Sequence, residues 1–449
     1  MVALYFMNTY NTAIDKIMII NALQTDKSEV GELLSWNMLP YALFALLAVV
    51  FVLKLRINFA PLKQELKQRS IIILISTILG GLIFTPFYKK IDVFMSENKE
   101  LRYYILPSSY ISSTFSVIKM MHKHPDKLKI LTENVTVKPY WPDNGRKNLF
   151  IFILGETARA ANFSLHGYQR PTNKPLSPYQ KDMIVFDKMQ SCGTATAISV
   201  PCIFSPYPRK EFKNRLTSYS ENILDVYKKI GYEVIWKDTN SGCKGVCNRV
   251  KTEIYCEYGT CMDIEMNQNF AEQVKKANKD MFVVFHQRGS HGPMYSNRYP
   301  LEFELYKPVC KDEDIKNCTR ESIVNTYDNT IYYTSYVMAD LLKEIKTLED
   351  EYNIVVFYTS DHGESLGEDG KYLHGMIYES APKYQKEVPF FIWMPKSTAK
   401  GLSLNRKCLN KKIHTSVSHD NIFHSLLGLG GIKIPEYDES LDIFAHCHP

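Results

Sequence analysis

"NIVVFYTSDHGE", residues 353–364, is an apolar, β-rich run that stops abruptly on an Asp-His-Gly-Glu cluster. A strand without polar alternation is buried on both faces, as in a parallel sheet covered by helices on both sides. Four other stretches have the same character: "LFIFIL" (149–154), "YEVIW" (232–236), "MFVVF" (281–285) and "PFFIWMP" (389–395). Helical patterns alternate with them. The clearest runs from Asn325 to Leu348, where Ile331, Met338, Leu341, Leu342, Ile345 and Leu348 recur near a 3.6-residue period. The expected fold is α/β, a mostly parallel sheet flanked by helices.

Each strand delivers polar chemistry at its end. "LFIFIL" runs into Gly155-Glu156-Thr157, "YEVIW" into Lys237-Asp238-Thr239-Asn240, and "MFVVF" into His286 and then Gly289-Ser290-His291-Gly292. The opening stretch runs into Asp361-His362-Gly363-Glu364. Ligands of open α/β sheets bind at the carboxyl ends of strands, so these groups are expected on one rim. Glu156, Asp361 and His362 offer hard oxygens and an imidazole, a set suited to zinc or manganese. His291 and His374 could serve a second metal or the substrate; the plainer alternative is that they hydrogen-bond loops.

A bound divalent cation lowers the pKa of an alcohol and holds it in place. That gives a purpose to "SCGTATAISVPC" (191–202), where Thr194 and Thr196 sit among Gly193, Ala195 and Ala197 between two cysteines. Composition alone does not separate a reactive loop from a stapled surface loop, nor one threonine from the other.

All ten cysteines follow residue 190, in close pairs 192/202, 243/247, 256/261 and 310/318, with Cys408 and Cys447 left over. Zinc-finger spacing is absent, so disulfides and an oxidising compartment such as the bacterial periplasm are expected. Exchange of the short Cys243–Cys247 pairing with Cys256 or Cys261 stays open. The front of the chain differs. Leu33 to Leu53 and Ile71 to Tyr88 carry no charge, and each is near the roughly 20 residues that cross a bilayer. Between them "KLRINFAPLKQELKQR" (54–69) places Lys54, Arg56, Lys63, Lys67 and Arg69 against Glu65, a cytoplasmic loop by the positive-inside rule. Everything after Tyr88 then faces outward, in agreement with the cysteines. Met1 to Met7 is too short for an export signal or an earlier span, so a longer front end is expected upstream.

The expected organisation is a partial membrane domain over 1–88, of which 1–36 is a partly amphipathic helical stretch. A connector along the membrane surface follows over 89–146, and a periplasmic catalytic domain over 147–449. The net charge of +6 suits an anionic membrane surface, and no nucleic-acid partner is expected.

Six stretches, "GETARAANFSLHGYQRPTN", "SCGTATAISVPC", "FHQRGSHGP", "YDNTIYYTSYV", "SDHGESLGE" and "SHDNIFHSLLGL", span residues 155–429. With "YFMNTYNTAIDKIMIINALQTDKSEV" upstream, they resemble the phosphoethanolamine–lipid A transferases of the alkaline phosphatase/sulfatase superfamily, the group that includes the polymyxin-resistance enzymes. The resemblance implies Thr196 as nucleophile and Glu156, Thr196, Asp361 and His362 as ligands of one zinc ion or two. It implies Asn240, Lys244, His291 and His374 around the phosphate and the incoming substrate, and Asn21 and Thr25, on one face of a helix, at the substrate headgroup. It implies a phosphatidylethanolamine donor, lipid A or another envelope acceptor, a covalent intermediate on Thr196, a monomer, and an inner-membrane location. Family members have five membrane helices where two complete ones are seen here, and His166 stands where asparagine is usual. A metal-dependent phosphodiesterase, a glycerol-phosphate transferase of the same superfamily, and an inactive truncated membrane protein are the alternatives. The cysteine/serine-x-Pro-x-Arg motif of sulfatases does not appear at the relevant strand end.

Overall fold

The structure is a computed structural model that describes residues 2–10, 12–25, 30–31, 33, 36–56, 60–122, 127–138, 144–213, 219–255, 261–312 and 314–447. The front stretch forms two short helices, α1 (Val2–Tyr10) and α2 (Lys16–Gln24). Asp15 caps α2 by accepting the Met18 N–H at 2.9 Å, satisfying one of the donors a helix start leaves unpaired.

Helix α3 (Leu39–Lys54) starts with Pro40 in its first turn, where a missing N–H costs nothing. Helix α4 covers Leu62–Phe84. Residues 36–54 and 62–97 are long and apolar enough to cross a membrane. Their apolar side chains face outward: Phe44, Phe51, Ile73 and Leu82 are all more than 60% exposed. Helices apolar all round and bare of protein are membrane spans. The second helix begins at Leu62 rather than Ile71, because "LKQELKQR" consists of strong helix formers and carries an Arg69–Glu65 pair at 2.9 Å. Half of the basic stretch expected as a loop, residues 62–69, is therefore helix continuous with the second span. Of the first expected span, residues 34–35 lie outside the described residues.

Helix α5 (Ser108–His122) follows the second span and packs against α2. Residues 139–143 of "PYWPDNGRKN" lie outside the described residues.

Seven strands build the main sheet: β1 (Lys147–Gly155), β2 (Met183–Val185), β3 (Glu233–Asp238), β4 (Lys251–Ile254), β5 (Met281–His286), β6 (Tyr352–Ser360) and β7 (Phe390–Trp393). Their order is β2-β7-β6-β1-β5-β3-β4. The pairings from β6 to β4 are parallel, and β7 runs antiparallel to both its neighbours. All five expected strands are present.

Alternate residues of each strand feed two cores. Phe150, Phe152, Trp236, Phe282 and Phe357 face one side. Leu149, Ile151, Ile235, Val283 and Val356 face the other. The first core packs against α6 (Thr196–Ile203) and α8 (Asp420–Leu429), the second against α7 (Arg320–Lys346). Thr196, expected in a loop, is instead the first residue of α6.

Disulfides join Cys192–Cys202, Cys243–Cys247 and Cys310–Cys318. The two cysteines left over, Cys408 and Cys447, also pair. Cys261 is disulfide-bonded, and Cys256 lies outside the described residues.

Candidate active site

Strand register assembles the site. Gly155 pairs with Ser360, Leu154 with His286, and His286 with Asp238. The residues after these positions emerge side by side on one rim, where Glu156, Asp361, His362 and Asn240 are found. The close approach has a backbone requirement. Gly289 has φ +54°, and a Cβ there would stand 2.7 Å from the Glu156 carbonyl oxygen and 3.0 Å from its nitrogen. Asp263 fixes the same loop, accepting the Arg288 and Gly289 N–H groups at 2.8 and 3.0 Å.

Glu156, Asp361 and His362 are wholly buried, and one donor atom from each falls within 4.8 Å of the others. Asp361 Oδ1 accepts the N–H groups of Thr157 and His362 at 3.1 and 2.7 Å. Among the described residues its Oδ2 has no hydrogen-bond partner, and it stands 3.3 Å from His362 Nε2. His362 Nδ1 lies 3.0 Å from the Gly363 carbonyl oxygen, and Nε2 lies 3.3 Å from Glu156 Oε1. Burial, then the nearby Glu156 charge, pushes the Asp361 carboxyl up to about 7. Burial would also raise Glu156, but the hydrogen bond and charge of His362 hold it well below the usual carboxylate range. Burial alone would lower His362; Asp361 and Glu156 instead raise it to about 10.

Two buried carboxylates, an imidazole and an orphaned carboxylate oxygen at one point fit a divalent cation, which would compensate the buried charge directly. A second grouping, Cys192, Cys202 and Asp420, also has ligand-like geometry. Its cysteines form a disulfide and offer no thiolates.

Thr196 Oγ1 lies at the edge of the first cluster, 3.2 and 3.3 Å from the Glu156 carboxylate oxygens and 3.3 Å from His362 Nε2. As the first residue of α6 it also stands where a helix favours negative charge. Thr194 is turned to structural use, its hydroxyl donating to the Met376 carbonyl oxygen. The loop ahead of α6 is tied down by the disulfide, by Gly193 N–H donating to Ser199 Oγ at 3.0 Å, and by Cys192 N–H donating to His419 Nδ1 at 3.0 Å.

The other expected residues gather around this cluster. Asn240 Nδ2 donates to Glu156 Oε2 at 2.8 Å and to the Gln287 carbonyl oxygen at 2.9 Å. Asn21, Thr25, Lys244 and His291 line one small cleft with Thr196. Lys244 Nζ donates to the Ser241 carbonyl and hydroxyl oxygens at 2.9 and 2.8 Å. Thr25 Oγ1 donates to the Asn21 carbonyl oxygen at 2.8 Å. The His374 ring lies 4.4 Å from the His362 ring, tilted by 39°, and meets the His291 ring edge-on at 5.2 Å. Burial, then the His362 charge, lowers the His374 pKa. His166 is not part of the site; its Nε2 meets the Phe186 carbonyl oxygen at 3.1 Å.

Two residues went unassigned in the sequence. Buried Glu364 accepts the Tyr295 hydroxyl at 2.7 Å and lies 2.9 Å from His374 Nδ1, so it sets that ring's tautomer. His419 bridges Cys192 N–H to the Ser360 carbonyl oxygen, 3.0 Å from its Nε2. Both lie inside recognised motifs, but only the fold shows what they touch.

The mostly parallel sheet with its carboxylate–histidine rim and a hydroxyl at a helix start places the protein in the alkaline phosphatase/sulfatase superfamily. A family model described as "Sulfatase" matches residues 148–432. Another, "Phosphoethanolamine transferase EptA/EptB", matches residues 1–121. The chain is 37% identical to the phosphoethanolamine transferase EptA of Escherichia coli K12, over 99% of this chain and 83% of that protein. It is 33% identical to the phosphatidylethanolamine transferase Mcr-1 of Escherichia coli, over 95% and 80%. Its structure is similar to the integral membrane lipooligosaccharide phosphoethanolamine transferase A of Neisseria meningitidis, with TM-score 0.94, 31% identity, and coverage of 99% of this chain and 85% of that one. The chain belongs to the EptA family of phosphoethanolamine transferases.

Proposed function

We propose that this enzyme moves phosphoethanolamine from phosphatidylethanolamine to a phosphate or hydroxyl of lipid A or a related envelope glycolipid, with Thr196 as carrier. The observation that carries the reading is Thr196 Oγ1, within 3.3 Å of both Glu156 and His362 at the base of a cleft that α2 helps to line. Thr196 Oγ forms a bond to phosphorus, and the phosphorus–oxygen bond to diacylglycerol breaks. Glu156 is within reach of the Thr196 proton. His374, held by Glu364, or His291 protonates the departing alkoxide. The acceptor oxygen then attacks the phosphothreonine and restores Thr196. Lys244 offsets charge on the transferring group, and Asn240 positions Glu156. Asn21 and Thr25 contact the headgroup.

Glu156, Thr196, Asp361 and His362 would hold a zinc ion, which supplies a lowered hydroxyl pKa and charge neutralisation when bound. If His291 and His374 held a second ion instead, that ion would replace them in neutralising the departing alkoxide. The disulfides and spans support an inner-membrane protein with residues 1–88 in the membrane, 89–146 as a surface connector and 147–449 in the periplasm. It acts as a monomer. Masking acceptor phosphates with phosphoethanolamine, whose ammonium group offsets their charge, lowers the attraction of the cell surface for cationic peptides such as polymyxin.

Mass spectrometry of the Thr196 peptide after exposure to phosphatidylethanolamine tests the covalent step. A phosphoethanolamine adduct is expected on Thr196. Lipid A modified equally in cells expressing Thr196→Ala would refute the assignment.

A further inference from the structure

Asp238 and His286 end the neighbouring strands β3 and β5, where they pair in register. Both are buried, and the reaction described above uses neither. His286 Nδ1 lies 3.1 Å from Asp238 Oδ2, which also accepts the Trp236 indole N–H at 2.7 Å. Burial alone would raise the Asp238 pKa, but His286, the Trp236 N–H and the Asn240 N–H hold it below its ordinary value. An ionised carboxylate only accepts, so the Nδ1 that faces it carries the hydrogen. Among the described residues the other ring nitrogen, His286 Nε2, is buried with no hydrogen-bond partner.

The second oxygen of Asp238 reaches toward the rim. Oδ1 accepts the Asn240 N–H at 2.7 Å. Between them the Thr239 N–H donates to the His286 carbonyl oxygen at 3.1 Å, so both strands fix the turn. The Asn240 amide then has one orientation. Its Oδ1 accepts the Ser241 N–H at 2.6 Å, which aims Nδ2 at Glu156 Oε2, 2.8 Å away. Glu156 Oε1 is left facing Thr157 Oγ1 at 2.6 Å and His362 Nε2 at 3.3 Å. The last torsion of a glutamate is soft and roughly two-fold, so a fixed donor on one oxygen is what selects this setting. Bracing two strands needs no buried polar groups, which lose their hydration there. Orienting a turn that leads to a carboxylate does need a fixed acceptor.

We propose that Asp238 and His286 are positioning residues for the transfer. His286 holds the Asp238 carboxylate, Asp238 sets the Asn240 turn, and Asn240 fixes the Glu156 carboxylate beside Thr196. What Glu156 does there rests on the transferase reading above; the sequence of contacts behind it does not.

The test uses the full chain in detergent. His286→Leu keeps apolar bulk and removes the donor. His286→Asn keeps a donor where Nδ1 stood and gives up only the unpartnered side of the ring. His286→Leu should slow phosphoethanolamine loading of Thr196 at saturating phosphatidylethanolamine, and weaken zinc affinity by calorimetry, each about 10–100-fold. The KM for the donor should not change, and His286→Asn should recover most of both losses. In an Asn240→Ala background His286→Leu should cost less than about threefold further, because its route to Glu156 is already cut. Thermal unfolding identifies a variant that does not fold; in that case Asp238→Asn, which sets an amide N–H against a facing donor, replaces His286→Leu in the same cycle. Losses that multiply in full across the two sites overturn the proposal, since they describe loosened packing rather than a path through Asn240. So does His286→Leu that matches the parent, or His286→Asn as impaired as His286→Leu. Absence of any adduct in the unsubstituted protein refutes the transferase reading, and the zinc-affinity cycle then decides the positioning pair by itself.

Discussion

His419 is wholly buried and joins two segments distant in sequence, accepting the Cys192 N–H and meeting the Ser360 carbonyl oxygen, each at 3.0 Å. His419→Ala leaves the Cys192 N–H buried without its partner, while the Ser360 carbonyl oxygen keeps the Thr359 hydroxyl at 3.3 Å. The orphaned N–H costs about 1–3 kcal/mol of stability. For a domain of about 300 residues that corresponds to roughly 2–5 °C in Tm. There is also a signature in acid. Burial, opposed by the Ser360 hydrogen bond and aided by the His362 charge, lowers the His419 pKa to about 3, against 6.5 for an unperturbed group. A depressed folded-state pKa means that the unfolded chain takes up the proton first. The contribution is complete above the unfolded value and is lost as pH falls from there toward the folded value, by about 1.4 kcal/mol per pH unit. The assay is thermal unfolding of the full chain in detergent, followed by fluorescence of the buried Trp236 and Trp393, at about pH 7.5 and about pH 5.5. His419→Ala should melt lower at neutral pH and lose less stability on acidification. Phosphoethanolamine loading of Thr196 should also fall, because the loop it stands on is released. A Tm within about 1 °C of the parent, with an unchanged acid slope, would refute the reasoning.

Gly289→Ala sets a Cβ 2.7 Å from the Glu156 carbonyl oxygen at φ +54°; about 2–5 kcal/mol of destabilisation is expected, with weaker metal affinity by calorimetry. Glu364→Gln removes the carboxylate 2.9 Å from His374 Nδ1; turnover should drop about 10–100-fold, with a shifted acidic limb of the kcat profile and unchanged folding. Cys192→Ser/Cys202→Ser opens a disulfide of sequence separation 10, which should cost about 2.5 kcal/mol by chain entropy and slow adduct formation more than it lowers Tm. Stripping divalent metal should lower Tm, and zinc at a thousand times its Kd should restore about 4 kcal/mol; no response to zinc would argue against metal at Glu156, Asp361 and His362.

The sheet was legible because its strands are apolar at successive positions, a pattern only burial on both faces explains. The rim was legible because each strand stops on a polar residue, and parallel register aligns those stops. Glu156, Asp361 and His362 therefore emerged together without knowledge of the strand order. The choice of Thr196 over Thr194 was not written in composition. It depends on which hydroxyl lies beside Glu156, and a one-residue shift at a helix start decides that. The start of α4 at Leu62 was hidden because "LKQELKQR" is polar, so a hydropathy boundary at Ile71 marks where charge ends rather than where the helix begins. The Cys408–Cys447 pair, 39 positions apart, is a long-range contact that no local spacing reveals. His419 and Glu364 were silent for a similar reason, since each matters through atoms contributed by remote segments.

Ile20 of α2, Val117 of α5 and Ala197 of α6 form one small buried cluster. The helix that carries Thr196 is thus braced by two elements from the front of the chain. Front and back are therefore poor units for recombination. A chimera joined near residue 140 from two relatives inherits a mismatch at this contact unless all three positions come from one parent, and substitutions at them should travel together. Compounds selected against an isolated periplasmic fragment would meet a cleft that lacks the α2 wall, and shapes that fill that extra space would not fit the intact enzyme.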